Sequence, residues 1–98
     1  MSLPEVKRVY NDDGNLDMEY YEINGLKEGI YKCYYKNGNL EIICNFVNDK
    51  KEGENIAYYI DGQIWCKCNY INDKREGEYI RYYENGMRSR QQNEVLYA

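Results

Sequence analysis

Residues 37–62 read NGNLEIICNFVNDKKEGENIAYYIDG, and this stretch decides the fold. Asn37-Gly38 and Asp61-Gly62 bracket two apolar-aromatic runs that are joined by the polar NDKKEG. A dipeptide of that kind between apolar runs is a strong hairpin signal, because both of its residues tolerate positive φ. Working outward, the pattern recurs. Gly14, Gly38, Gly62 and Gly86 are spaced by 24 residues, and so are Gly29, Gly53 and Gly77, each of which follows a glutamate (Glu28, Glu52, Glu76). A constant period marks an array of equal units rather than one irregular domain. The units run over about 6–27, 28–51, 52–75 and 76–98, forming a single repeat array over residues 1–98.

Each unit carries one hairpin, and polar Asn/Asp/Gly turns join consecutive hairpins, so the expected fold is all-β: a single elongated antiparallel meander sheet of about eight strands. At about 4.8 Å per strand the sheet should be about 38 Å across, with equivalent residues of neighbouring units about 10 Å apart. A two- or four-residue turn at Asn37-Gly38 sets Tyr35 opposite Leu40, Cys33 opposite Ile42 and Tyr31 opposite Cys44. A three-residue turn would exchange these faces. The last unit loses its apolar stripe: Arg88, Arg90, Gln92 and Glu94 stand where the second unit has Leu40, Ile42, Cys44 and Phe46. That reads as a polar cap. The alternative is a tail that leaves the sheet and docks Val95, Leu96 and Tyr97.

Composition narrows the function. Thirteen Tyr accompany a single Phe, Trp and Pro, which favours strands. With 13 Lys+Arg against 17 Asp+Glu the net charge is −4, which disfavours nucleic-acid binding. There is no His, so imidazole general bases and imidazole metal ligands are excluded. No phosphate loop, nucleophile constellation or carboxylate pair stands out, and neither an enzyme nor a cofactor is expected. The first eight residues carry charges and no apolar run reaches signal-peptide or membrane-span length, so the expected location is cytoplasmic. Abundant Asn, Lys, Ile and Tyr suggest an AT-rich genome, a low-GC bacterium or a large DNA virus, the latter implying the host cytoplasm. In a reducing compartment Cys33, Cys44, Cys66 and Cys68 are expected as free thiols. Cys66 and Cys68 lack knuckle spacing, and Cys44 and Cys68 should lie about 10 Å apart, so neither zinc nor a disulfide is expected.

The run NGNLEIICNFVNDKKEGENIAYYIDGQ resembles the MORN repeat, and more closely its variant form, the type known in bacteria as a toxin–antitoxin system antitoxin. The likeness rests on the turn glycine, the short apolar strand after it, the Lys-rich turn, Glu-Gly and the Tyr-Tyr pair before the next turn glycine. It implies a hairpin per repeat, a curved sheet with an aromatic-lined groove, and service as a scaffold, dimerisation module or protein-binding platform. Phospholipid binding is also attached to the family.

Tyr34, Tyr58 and Tyr82 form a ladder at repeat spacing with Trp65 beside it, a candidate protein-binding face, although cross-strand packing accounts for such a row equally simply. Tyr35, Leu40, Ile42, Tyr59 and Ile64 are candidates for a dimer face. Lys27, Lys50, Lys51, Lys74 and Arg75 line the turn edge, but Asp49 and Glu52 offset Lys50 and Lys51, which disfavours a lipid-binding ridge. A one-layer sheet cannot cover two apolar faces by itself. The expected role is a noncatalytic interaction or scaffold module that self-associates as a homodimer or binds another protein. An antitoxin-like inhibitor of a partner protein is the alternative, and a peripheral lipid-binding module the third.

Overall fold

The computed structural model describes residues 2–83 and the backbone of residues 94–95. Its strands are β1 (Glu5–Tyr10), β2 (Leu16–Ile23), β3 (Leu26–Lys27), β4 (Gly29–Tyr34), β5 (Leu40–Val47), β6 (Lys50–Lys51), β7 (Gly53–Tyr58), β8 (Ile64–Ile71), β9 (Lys74–Arg81) and β10 (Glu94–Val95). Eight of them follow one antiparallel path, β1-β2-β4-β5-β7-β8-β9-β10, while the two-residue β3 and β6 pair with β2 and β5. The molecule measures 46 × 34 × 15 Å, one sheet thick. The meander expected from the 24-residue period is therefore present.

The two kinds of turn are the reverse of the sequence expectation. Tyr35 N–H donates to Asn39 C=O and Gly38 N–H to Tyr35 C=O, which closes a three-residue loop in which Gly38 alone has positive φ (92°). The tight two-residue turns lie on the other edge, at Asn24-Gly25, Asn48-Asp49 and Asn72-Asp73, where both residues are left-handed. That pair of positive φ values is what matches a turn to the twist of two strands. Three-residue loops should have exchanged the faces, but a bulge at Glu41 reverses the exchange one step later. Tyr34, not Tyr35, faces Leu40, and Cys33 then faces Ile42 and Tyr31 faces Cys44. The same slip occurs at Asp17 and at Trp65.

The Glu-Gly glycines have a separate task. Between Met18↔Cys33 and Glu22↔Lys27 the chain carries two more residues on the β3–β4 side than on β2, and Gly29 absorbs the excess at φ 93°. Gly53 and Gly77 repeat this at φ 90° and 77°. A Cβ at Gly53 would meet no atom within 4 Å, so conformation rather than space selects glycine there.

Neighbouring units are joined by a hydrogen-bonded latch made from the NDKKEG and NDKREG segments. Asp49 N–H donates to Lys27 C=O (2.9 Å), while Lys27 N–H donates to Asp49 Oδ1 (3.1 Å) and Asn48 N–H to Glu28 Oε1 (2.8 Å). One period later Asp73, Lys51, Asn72 and Glu52 repeat it at 2.9, 3.1 and 2.6 Å. On the opposite edge Tyr35 Oη donates to Tyr58 C=O (2.6 Å) and Tyr59 Oη to Tyr82 C=O (2.8 Å). The charged turn is thus the joint between units.

At the C-terminal edge Glu94 pairs with Tyr79 and Val95 with Glu78. The pairs Tyr31↔Cys44 and Asn55↔Cys68 would instead bring Gln92 opposite Tyr79, so the last strand sits two residues out of the repeat register. The cap positions Arg88, Arg90 and Gln92 and the docking of Leu96 and Tyr97 lie outside the described residues.

Candidate interaction face

The register assigns each paired side chain to one of two faces, since paired residues share a face. One face carries the row Met18–Cys33–Ile42–Ala57–Cys66–Arg81, the other the row Glu19–Lys32–Ile43–Ile56–Lys67–Ile80. The first is the closed one. The buried apolar residues of the described chain, Cys44, Ala57, Cys66 and Cys68, all lie on it, flanked by the rings of Tyr20, Tyr31 and Phe46 in contact at 5.4 Å. Burial, and then the neighbouring Cys33, push the Tyr31 hydroxyl up to about 12; the Cys66 contact, and then burial, do the same to Tyr79. Burial also raises the Cys33, Cys44 and Cys68 thiols, so neutral thiols line this face.

The basic residues of the turn edge do not form one ridge. Lys27, Lys51 and Arg75 fold over the closed face, with Lys27 Nζ 5.6 Å from the Tyr20 and Phe46 ring centres, Lys51 Nζ 4.8 Å from Tyr70 and Arg75 Cζ 4.9 Å from Tyr79. Their stems and charges help cover the rings. Lys50 and Lys74 pair with Val47 and Ile71 and so project from the other face.

That other face is the open one. Val6, Tyr10, Tyr21, Leu26, Ile30, Val47 and Ile71 lie on it with 37–57% of their surface exposed, whereas among the described residues that the register pairs on the closed face Val9 is the one large apolar residue so exposed. A shallow groove of about 350 Å³ runs between Ile30, Ile43, Ile56 and Tyr58, with Asn45, Glu52 and Glu54 at its margin. A second hollow beside Tyr34 is lined by Leu16 and the 36–38 loop.

The sequence candidates are distributed unevenly over this geometry. Tyr34, Tyr58 and Tyr82 share the open face, with Lys67 Nζ 5.9 Å from the Tyr82 ring centre. Trp65 does not stand in that row; it is the bulged residue opposite β7, 43% exposed, its ring 6.3 Å from Tyr59. The five dimer-face candidates separate. Leu40 and Ile64 join the open face opposite Tyr34 and Tyr58, Ile42 lies on the closed face, and Tyr35 and Tyr59 tie unit to unit through their hydroxyls. Sequence reading left Leu26, Val47 and Ile71 out. The signal for Val47 and Ile71 was an apolar residue before each Asn turn at the repeat spacing, at Ile23, Val47 and Ile71, whereas Leu26 has Lys50 and Lys74 at its equivalent positions.

The profile of the MORN repeat variant family matches residues 27–48, 51–72 and 75–93, well over half of the chain. The chain belongs to this family. No curated protein and no solved structure matches it. Each MORN unit begins at a ring-stacked cation, Lys27, Lys51 or Arg75, and the first two end at the turn asparagines Asn48 and Asn72. The latch therefore straddles the boundary, with Asp49 and Asp73 between units reaching back to the cation that opens the preceding one. MORN repeats are generally associated with protein or membrane binding.

Proposed function

We propose that this MORN array is a noncatalytic protein-interaction module of the reducing cytoplasm that self-associates as a homodimer through its open face. The uneven exposure of the two faces carries the reading: the closed face hides its rings under one another and under cations, while the open face leaves seven large apolar side chains and the Tyr34–Tyr58 grooves to solvent. Large exposed apolar side chains gathered on one face and interspersed with Lys50, Lys67 and Lys74 suit a protein partner. A face 46 by 34 Å in extent exceeds the roughly 800 Å² per partner that a stable complex buries. A two-fold dimer is the simplest arrangement that covers it.

A phospholipid surface is the weaker reading, because Lys27, Lys51 and Arg75 are engaged with rings and the net charge is −4. The test is the solution mass of the reduced protein by light scattering over a wide concentration range, beside the Ile56→Lys variant. A dimer that Ile56→Lys converts to a folded monomer supports the reading. A monomer mass at every concentration removes self-association. A stoichiometric foreign protein on the same face, released by Ile56→Lys, would instead make the module an adaptor, of which an antitoxin-like inhibitor is one form.

A further inference from the structure

We propose that Asn24 is a site of spontaneous covalent modification, at which the backbone nitrogen of Gly25 closes onto the Asn24 side chain. Three two-residue turns of the same shape repeat along one edge, at Asn24-Gly25, Asn48-Asp49 and Asn72-Asp73. In the second and third the amide after the asparagine is engaged, Asp49 N–H with Lys27 C=O and Asp73 N–H with Lys51 C=O, each at 2.9 Å. In the first, Gly25 N–H has no acceptor among the described residues, Gly25 bears no side chain, and the space where its Cβ would stand is open.

The electrophile is also prepared. Ser2 Oγ–H donates to Asn24 Oδ1 at 2.9 Å, aimed at the oxygen on which negative charge develops as the side-chain carbonyl is attacked. Asn37-Gly38 has the same sequence but none of this freedom. Gly38 N–H is held by Tyr35 C=O at 2.9 Å, Asn37 Oδ1 accepts from Asn39 N–H at 2.9 Å, and Asn37 Nδ2 donates to Ile60 C=O at 3.0 Å.

The step balances with water as the only co-reactant. Gly25 N forms a bond to Asn24 Cγ, the Cγ–Nδ2 bond breaks, and ammonia leaves with the proton that Gly25 N gave up. Water then opens the five-membered imide at either carbonyl, giving aspartate or isoaspartate. For the ring to close, the left-handed turn must open, and the hairpin that it closes has just two ladder pairs before the bulge, Ile23↔Leu26 and Glu22↔Lys27. Isoaspartate lengthens the main chain within a turn of two residues and adds one negative charge beside Ser2.

The test is incubation of the folded protein at mildly alkaline pH, with peptide mapping by mass spectrometry and enzymatic methyl transfer to isoaspartate as a second readout. Asn24 is expected to convert well ahead of Asn37, and Ser2→Ala to slow Asn24 about threefold, the size of effect that one neutral hydrogen bond carries. In urea, where both are plain Asn-Gly, the two rates should converge. Equal rates in the folded protein, an unchanged Asn24 rate in Ser2→Ala, or a preference for Asn24 that persists in urea would each overturn the assignment.

Discussion

Replacing Asp49 tests whether the latch holds the array together. Its Oδ1 accepts from Lys27 N–H at 3.1 Å and lies 4.0 Å from Lys27 Nζ, its side chain is 50% exposed, and its backbone sits at φ 71°. Half exposure discounts a hydrogen bond to a charged acceptor below its usual range, to about 1 kcal/mol, and the distant ion pair adds little. Alanine at a left-handed φ costs about 1 kcal/mol more. Asp49→Ala should therefore lose about 2 kcal/mol, and Asp49→Gly, which accepts the φ freely, about 1. Asp49→Asn keeps an acceptor and tolerates the turn, so its loss should stay under about 0.5 kcal/mol. The assay is urea unfolding followed both by far-UV circular dichroism and by the fluorescence of Trp65, which stands one unit further on. For a domain of this size each kcal/mol corresponds to a fall in Tm of about 4–8 °C. Asp73 makes the same contacts and should give the same ordering. An Asp49→Gly variant that unfolds at the wild-type urea concentration would refute the reasoning, because the carboxylate would then contribute nothing beyond a tolerated backbone angle.

Gly53→Ala should destabilise by about 1–2 kcal/mol in the same assay without altering the folded spectrum, since φ 90° is strained for alanine and the space is open; chemical synthesis with D-alanine there should restore stability. Stability should begin to fall as pH rises through about 9, where unfolded thiols titrate and the raised Cys33, Cys44 and Cys68 do not, and go on falling toward 12. The sign follows from Tyr31 and Tyr79: both titrate higher folded than unfolded, so between the two values the folded state holds more protons and loses ground as they leave. Denaturation midpoints against pH should show this, and Tyr31→Phe should lessen the slope. Cys44 and Cys68, whose thiols burial raises, should resist alkylation at neutral pH in the folded protein and react fully in urea, as read by mass spectrometry.

The period, the meander and the one face shared by Cys44, Cys66 and Cys68 were legible in the sequence, because each rests on spacing alone; Cys33 joins them because the bulge at Glu41 offsets the three-residue loop. Which turn is tight was not. Asn37-Gly38 has the stronger hairpin signature, yet its glycine ends a three-residue loop, while Asn48-Asp49, with no glycine, takes two left-handed residues because its Asp gains bonds across to Lys27. That gain comes from the neighbouring unit, and no local propensity contains it. The bulge at Glu41 was likewise invisible, so Leu40 was placed with Ile42 when it belongs opposite Tyr34. Trp65 was assigned to the Tyr34 ladder by alternation, which fails at a bulged position.

Because every latch joins a turn only to the strand one period before it, the gene for this protein has natural seams. A stretch of coding sequence one period long can be copied or lost between Asp49 and Asp73, and the new neighbours still present the same carboxylate to the same main-chain pair. An insertion of any other length brings Asn-Asp to the wrong strand. The span of the sheet is therefore inherited in whole steps.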